Sequence, residues 1–178
     1  IIMIGEMRDL ETARIAIQSA LTGHLVLSTI HTNDAAGGIT RMLDMGVEDY
    51  LLTSTVNAIL AQRLVRTLGK GAREPVQLLP EVAGEMGFVE FLQQDSYTVY
   101  RPVPTEENPT GYFGRTSILE LLQMSDSIRR LVMQGATSGD IHNQAVNEGM
   151  RTMYQDGLLK CLQGVTTIEE VLRVTQEA

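Results

Sequence analysis

The chain has 178 residues, which is enough for one ordinary domain or two small ones. Hydrophobic residues make up 43% of the chain and charged residues 20%, which is the globular range and excludes wholesale disorder. The formal net charge of −8 disfavours a non-specific grip on nucleic acid or on anionic lipid. The one cysteine, Cys161, excludes an internal disulfide and a cysteine-rich zinc site, and this usage fits a reducing compartment.

The sequence carries no signal for export or for a membrane span. No stretch approaches the roughly 20 apolar residues that cross a bilayer, and no signal peptide is visible. The chain opens on an apolar run without an initiator methionine. Because a natural domain rarely begins within a strand, we expect the chain to be a C-terminal piece of a longer protein.

Short apolar runs alternate with helical patterns over the first 68 residues. Residues 1–4 form a β-branched run that ends at Gly5, which favours a strand. Asp9 is a candidate N-cap for a helix over residues 10–21, and residues 24–30 form the next apolar run. The further predicted elements are a helix ending near residue 45, a helix over 50–61 and a strand over 62–68. This order predicts an α/β fold with a mainly parallel sheet.

The composition of the sequence changes after Leu68, where we place a domain boundary. Residues 69–75 form a turn-rich, basic connection, and prolines and glycines punctuate the stretch that follows. We therefore predict a first domain over 1–68 and a second over 69–178, the latter with an irregular region (69–121) and a helical subdomain (122–178). Its predicted elements are a helix over 88–93, strands over 97–101 and 115–121, and helices over 126–134, 140–148, 153–162 and 168–176. A capping box of Thr167 and Glu170 introduces the last helix.

Glu6 is the first candidate functional residue. It follows an apolar strand and Gly5, whose backbone permits a tight turn, so its carboxylate emerges at the carboxyl end of the strand. A carboxylate at this place can order a nucleophilic water or bind a magnesium-bound water. The alternative is an exposed glutamate in a turn. Arg8 follows closely and could pair with Glu6 or face a phosphate of a neighbouring subunit.

Two histidines flank the second apolar run, His24 before it and His31 after it. Their odd separation along a strand points them to opposite faces, which makes a shared metal site a poor interpretation. If the two strands are parallel, His31 lies where Glu6 lies, and its imidazole could donate to a phosphate oxygen. A histidine that caps the next helix is the alternative. No G-x-x-x-x-G-K-[ST] phosphate loop occurs in the sequence.

These residues resemble one family closely. Residues 1–13 (IIMIGEMRDLETA) and 21–35 (LTGHLVLSTIHTNDA) are similar to the Walker B and His-box region of bacterial secretion ATPases. That family includes the type II secretion ATPase (the E protein) and the type IV pilus assembly and retraction ATPases. Five more segments resemble it, namely residues 41–46 (RMLDMG), 61–66 (AQRLVR), 111–116 (GYFGRT), 149–153 (GMRTM) and 157–160 (GLLK).

The resemblance implies the C-terminal part of a RecA-like P-loop ATPase domain, beginning at its Walker B strand, followed by a smaller, mostly helical C-terminal domain. It implies a homohexameric motor at the cytoplasmic face of the bacterial inner membrane, which hydrolyses ATP to power type II protein secretion or type IV pilus assembly. Inner-membrane platform proteins are its implied partners and mediate its peripheral membrane association. From the negative net charge we expect no nucleic acid among the partners. Because the phosphate loop is absent, we expect this chain alone to be inactive.

The resemblance also assigns roles to residues. Glu6 corresponds to the Walker B glutamate, His31 to the His-box residue near the γ-phosphate, and His24 opens that box. Catalysis is thereby expected from Glu6 and His31, and the nucleotide and magnesium environment from Gly5, Glu6, His24 and His31, with Arg8 as a further candidate. The implied cofactors are ATP and Mg²⁺, with Glu6 as a candidate magnesium ligand.

One departure from the family pattern concerns zinc. Many secretion and assembly members carry two CxxC pairs between the segments that correspond to 61–66 and 111–116, whereas this chain has no cysteine there. We therefore predict no zinc. Two other functions stay open: residues 69–178 could serve as an interaction module for subunits or platform proteins, and a DNA-translocating or conjugation ATPase would share the motor fold.

Overall fold

The computed structural model describes residues 1–69, 71, 73–91, 93 and 96–176, and at 90 and 91 it describes the backbone only. In chain order the elements are β1 (Ile2–Ile4), α1 (Leu10–Leu21), β2 (Val26–Ser28), α2 (Ala35–Asp44), α3 (Asp49–Thr55), β3 (Ala58–Leu68), β4 (Arg73–Leu78), α4 (Pro80–Glu85), α5 (Phe88–Phe91), β5 (Tyr97–Pro102), β6 (Tyr112–Gln123), α6 (Asp126–Met133), α7 (Ser138–Asn147), α8 (Met153–Leu162) and α9 (Ile168–Gln176). Within the described ranges, no helix has both the length and the hydropathy to cross a bilayer.

The chain divides into two compact units. Unit 1 combines Ile1–Ala61 with Glu120–Met150, and unit 2 combines Gln62–Leu119 with Arg151–Ala178. Each unit therefore contains two separate stretches of sequence. The domain limits predicted from the sequence, 1–68 and 69–178, follow a different criterion and stay a prediction.

The β1–α1–β2 part of unit 1 forms as predicted. The two strands are parallel, with Ile2 opposite Val26. The helix between them begins where Asp9 accepts the backbone N–H of Thr12 at 2.8 Å. After the helix, Gly23 takes a φ of 95°, a conformation that glycine adopts without steric cost and that turns the chain back toward the sheet. This geometry places the carboxyl ends of both strands at one edge.

A strand replaces the end of the helix predicted over 50–61. The helix ends at Thr55, and β3 begins at Ala58. The backbone N–H of Met124 donates to the carbonyl of Asn57 at 2.9 Å, so the start of β3 lies beside the end of β6 and the pair is antiparallel. Short apolar runs fit both the helical and the strand period, and here the partner strand decides between them.

The prediction of a mainly parallel sheet is wrong beyond β1 and β2. The described strands form three two-stranded sheets, and β4 pairs antiparallel with β5, with Arg73 opposite Pro102. β4 occupies part of the stretch expected to be a turn-rich connection. Pro75 cannot donate a ladder hydrogen bond, but a two-stranded sheet leaves each strand one unpaired edge, where proline is tolerated. The predicted short helix over 88–93 is described only for Phe88–Phe91, and residue 92 lies outside the described residues.

The core of unit 2 lies between the β4–β5 sheet and the last two helices. Its buried members are Ala83, Phe88, Tyr97, Val99, Leu158, Cys161 and Val171. The rings of Phe88 and Tyr97 pack with their centroids 5.4 Å apart. Gly157 faces Val171, and a Cβ at position 157 would lie only 2.6 Å from Cγ1 of that valine. The absence of a side chain at Gly157 thus allows α8 and α9 to approach closely.

The four helices predicted over 126–176 form, with α7 beginning at Ser138, two residues before its predicted start. Ser125 caps α6, and Thr137 caps α7 with a full capping box. At α9, Oγ1 of Thr167 accepts the N–H of Glu170 at 3.3 Å, which is half of the predicted box. The Glu170 carboxylate instead binds Arg66 and Arg173. Two nearby guanidinium groups are stronger partners for a buried carboxylate than one neutral backbone N–H.

Candidate functional site

The loops that follow β1 and β2 are joined by two hydrogen bonds beyond the end of the sheet. The backbone N–H of Met7 donates to the carbonyl of Thr29 at 2.9 Å. The hydroxyl of Thr29 donates to the carbonyl of Gly5 at 2.7 Å. These bonds hold the two loops side by side, so the residues that follow each strand meet at one edge of unit 1.

Glu6 and His31 are in direct contact at this edge. Nε2 of His31 lies 2.9 Å from Oε1 of Glu6. The Glu6 side chain is 20% exposed and that of His31 is 90% exposed, so the imidazole stands over the carboxylate on its solvent side. The parallel pairing of β1 and β2 thus brings together the two residues that the sequence placed after separate strands.

Arg8 binds the other oxygen of the same carboxylate. Its Nε and Nη2 atoms lie 2.7 and 2.6 Å from Oε2 of Glu6. The hydrogen bond from Arg8 lowers the pKa of Glu6 below its ordinary value, outweighing the opposing effect of desolvation, and the charges of Arg8 and His31 add to the lowering. Glu6 is therefore ionised at neutral pH, and as a weak base it is better suited to orienting a water than to removing its proton.

His24 lies apart from this pair. It precedes β2, whereas His31 follows it. Nδ1 of His24 lies 3.2 Å from both the hydroxyl of Thr22 and the carbonyl of Ser19. The structure thus places His24 at the C-terminal end of α1 and not beside Glu6. Its membership of a nucleotide environment stays a prediction.

A hollow of about 410 Å³ adjoins His31 in unit 1. Residues 31–34 and α2 line it, and the lining residues are His31, Thr32, Asn33, Asp34, Gly37, Thr40, Arg41 and Asp44. Asp34 caps α2 by accepting the N–H of Gly37 at 2.6 Å. The lining is polar and carries charges of both signs, which suits a polar rather than an apolar occupant.

Glu120 is a residue near this site that sequence reasoning missed. It is only 3% exposed, and its Oε1 accepts the backbone N–H of Ala35, the first residue of α2, at 2.7 Å. Its neighbour two positions along β6, Leu122, is fully buried. The sequence did contain a signal, because side chains two positions apart on a strand share one face. Glu120 therefore falls on the same face of its strand as apolar core residues.

The residues at this edge could supply part of a magnesium site but not all of its ligands. Magnesium is usually held by one or two carboxylates together with phosphate oxygens and waters. Glu6 supplies one carboxylate, and both of its oxygens already have partners in the protein. Across the part of the chain that the structure describes, no group of three or more histidine, cysteine, aspartate or glutamate side chains could hold a metal ion.

The geometry defines an α/β unit with a carboxylate and an imidazole at the carboxyl ends of adjacent parallel strands, which is where such folds bind ligands. Among family models, the one described as Type II/IV secretion system protein matches residues 1–173. The chain therefore belongs to the type II/IV secretion system protein family. This confirms the family predicted from the sequence.

Curated relatives agree with this assignment. The chain is 63% identical over 178 residues to a type II secretion system protein E from Xanthomonas campestris pv. campestris, covering all of this chain and 31% of that protein. It is 43% identical over 173 residues to the type IV pilus assembly ATPase PilB of Myxococcus xanthus, covering 97% of this chain and 31% of PilB. The chain thus spans about a third of the length of the curated relatives it matches.

Solved structures share the fold. A crystal structure of the pilus retraction motor PilT with bound ADP is 25% identical and superposes with a TM-score of 0.62, covering 97% of this chain and 38% of that one. The ATPase DotB from Yersinia pseudotuberculosis is 18% identical and superposes with a TM-score of 0.65, covering 99% of this chain and 37% of that one. These likenesses confirm the predicted α/β fold class, that of a part of a RecA-like ATPase domain.

Proposed function

We propose that this chain is the part of a secretion or pilus-assembly ATPase that carries its hydrolytic carboxylate, with Glu6 and His31 acting at the γ-phosphate of ATP. The observation that carries the proposal is the 2.9 Å contact between Nε2 of His31 and Oε1 of Glu6. Membership of the family supports it, because relatives of high identity are type II secretion and pilus-assembly proteins.

Glu6 would orient the attacking water. Phosphoryl transfer depends mainly on positioning and on electrostatic stabilisation, so a fixed, ionised carboxylate is the useful group. The lowered pKa keeps Glu6 in this form at neutral pH. When bound, Mg²⁺ supplies positive charge to the phosphate oxygens, and Glu6 would accept a hydrogen bond from one of its waters. The chain bends at Gly5, directly before Glu6.

Arg8 and His31 would exchange partners when nucleotide is present. Both occupy oxygens of Glu6 that a water would use, and both are largely exposed, with 77% exposure for the Arg8 side chain. Exposed ion pairs are weak, so a phosphate group can compete with Glu6 for these two hydrogen-bond donors. His31 would then donate Nε2–H to the γ-phosphate instead of to Glu6. The contact between His31 and Glu6 would therefore form only when that phosphate is absent.

The remaining features of the proposed motor belong to the full-length protein. The phosphate loop is absent from this sequence, so ATP binding needs residues beyond it, and this chain alone would not turn over ATP. We extend the proposal to a homohexameric ring that works with inner-membrane platform proteins at the cytoplasmic face of that membrane. The negative net charge supports the absence of nucleic acid among the partners.

ATP turnover and ATP binding by the full-length gene product test the proposal. Glu6→Gln is expected to reduce kcat by about 100-fold or more, because the amide no longer orients the water as a carboxylate does. Nucleotide affinity should stay within a few-fold of the wild type. His142→Gln, on a helix of the C-terminal half, is the control that should leave both quantities unchanged. Unchanged turnover in Glu6→Gln would contradict the proposal.

A further inference from the structure

Glu120 places a carboxyl group in the core of unit 1. Its side chain is almost fully buried on β6, and its Oε1 accepts the N–H of Ala35 at 2.7 Å. Burying a polar carboxyl group costs free energy, which the hydrogen bond from Ala35 offsets. An apolar side chain of similar size would avoid that cost. The position of the bond therefore suggests a role beyond packing.

The helix that Glu120 holds does not depend on it for a cap. Asp34 already caps α2 by accepting the N–H of Gly37 at 2.6 Å. Glu120 adds an anchor from a residue 85 positions away, at the first residue of the helix. A local cap determines the residue at which a helix begins. A bond from a distant strand also holds that residue in place relative to the rest of the unit.

The start of α2 in turn fixes the loop that contains His31. The hydroxyl of Thr32 donates to the carbonyl of Asp34 at 3.1 Å. Thr32 also lies against the first turn of the helix, because a Cβ at Gly37 would come within 2.7 Å of its Oγ1. Only three residues separate His31 from Ala35. A displacement of the first turn of α2 would therefore move His31 away from Glu6.

We infer that Glu120 is a positioning residue for ATP hydrolysis: by anchoring the first residue of α2 it keeps His31 within reach of Glu6. The inference rests on the proposed function and deepens it. Glu120 acts through the loop 31–34, by way of its hydrogen bond to Ala35. Its removal should consequently lower kcat only as long as His31 is present.

The test is a double-mutant cycle on the kcat of the full-length gene product. Glu120→Met removes the acceptor while filling nearly the same volume, and should lower kcat on the order of tenfold to a hundredfold with the KM for ATP little changed. In a His31→Ala background the same substitution should have no further effect. Glu120→Gln retains an acceptor oxygen and should restore most of the activity. Glu107→Met, at an exposed glutamate, is the matched control.

The outcomes distinguish the positioning role of Glu120 from the proposed function of Glu6 and His31. An equal loss from Glu120→Met with and without His31, or no loss at all, would overturn the positioning role and leave the proposed function standing. If His31→Ala itself leaves kcat unchanged, the proposed role of His31 fails and the positioning role fails with it. Thermal melts check folding. Should Glu120→Met not fold, Gly37→Ala displaces the same loop by pushing on Thr32 and must show the same dependence on His31.

Discussion

Oε2 of Glu170 accepts the backbone N–H of Arg66 at 2.8 Å, across 104 residues of sequence. The Arg66 guanidinium donates to the other oxygen at 2.7 Å, and Arg173 donates to both. Glu170 is 1% exposed. Burial alone would raise the pKa of Glu170, but the hydrogen bonds from Arg173 and Arg66 outweigh it and hold this pKa at about 2. One carboxylate thus ties β3 to α9 within unit 2.

Glu170→Gln should lower the free energy of unfolding of the chain at neutral pH on the order of 3 kcal/mol. The folded-state pKa of about 2 lies below the ordinary value of 4.5, so the stabilisation is present above pH 4.5 and is lost as pH falls toward 2. Urea unfolding at several pH values measures this slope. The wild type should lose stability across that window and Glu170→Gln should lose less.

Glu169→Gln is the matched control for this measurement, since Glu169 is the exposed neighbour of Glu170. It should keep the wild-type stability and the wild-type slope. Parallel stability curves for wild type and Glu170→Gln between pH 4.5 and 2 would contradict the account of this cluster.

Gly157→Ala should destabilise the chain by about 1 to 3 kcal/mol, because the new methyl group would lie 2.6 and 2.8 Å from the two γ-carbons of Val171. Gly84→Ala is the comparison, since nothing lies within 4 Å of a Cβ there and alanine favours a helix by up to about 1 kcal/mol. Denaturant unfolding separates the two. A Gly157→Ala protein as stable as Gly84→Ala would show that α8 and α9 can move apart freely.

The position of the candidate site could be predicted because its signals are local. Glu6 and His31 each follow an apolar run, and parallel strands bring such ends together without further information. The start of α1 was equally readable, since Asp9 and Thr12 form their cap within one helical turn. Local patterns of this kind depend on few residues and on no distant partner.

What could not be predicted depends on distant partners. Glu120 reaches a helix 85 positions away, and no neighbour in sequence reveals that the helix start needs it. The strand at Ala58 replaced a predicted helix because β6 pairs with it. The half-made capping box at α9 has the same origin, since Arg66 competes for Glu170 from another element. Tertiary partners decide between local options that are close in free energy.

The chain should contain no stoichiometric zinc. Its one thiol, Cys161, is buried, and burial raises the pKa of that thiol to about 12, so the thiolate that binds zinc is not formed at neutral pH. Elemental analysis of the purified chain should find well under one zinc per chain, and a chelator should leave its melting temperature unchanged. About one zinc per chain, with a lower melting temperature after chelation, would contradict this prediction.

The contact between Glu6 and His31 is the centre of the account, and a double-mutant cycle on their joint effect tests it most directly. In the full-length gene product, Glu6→Gln and His31→Ala should each lower kcat while ATP remains bound, and the double variant should lose far less than the product of the two losses, because residues that act as a unit are not additive. Losses that multiply would mean that the two residues act separately, and unchanged turnover in both single variants would mean that the pair is structural.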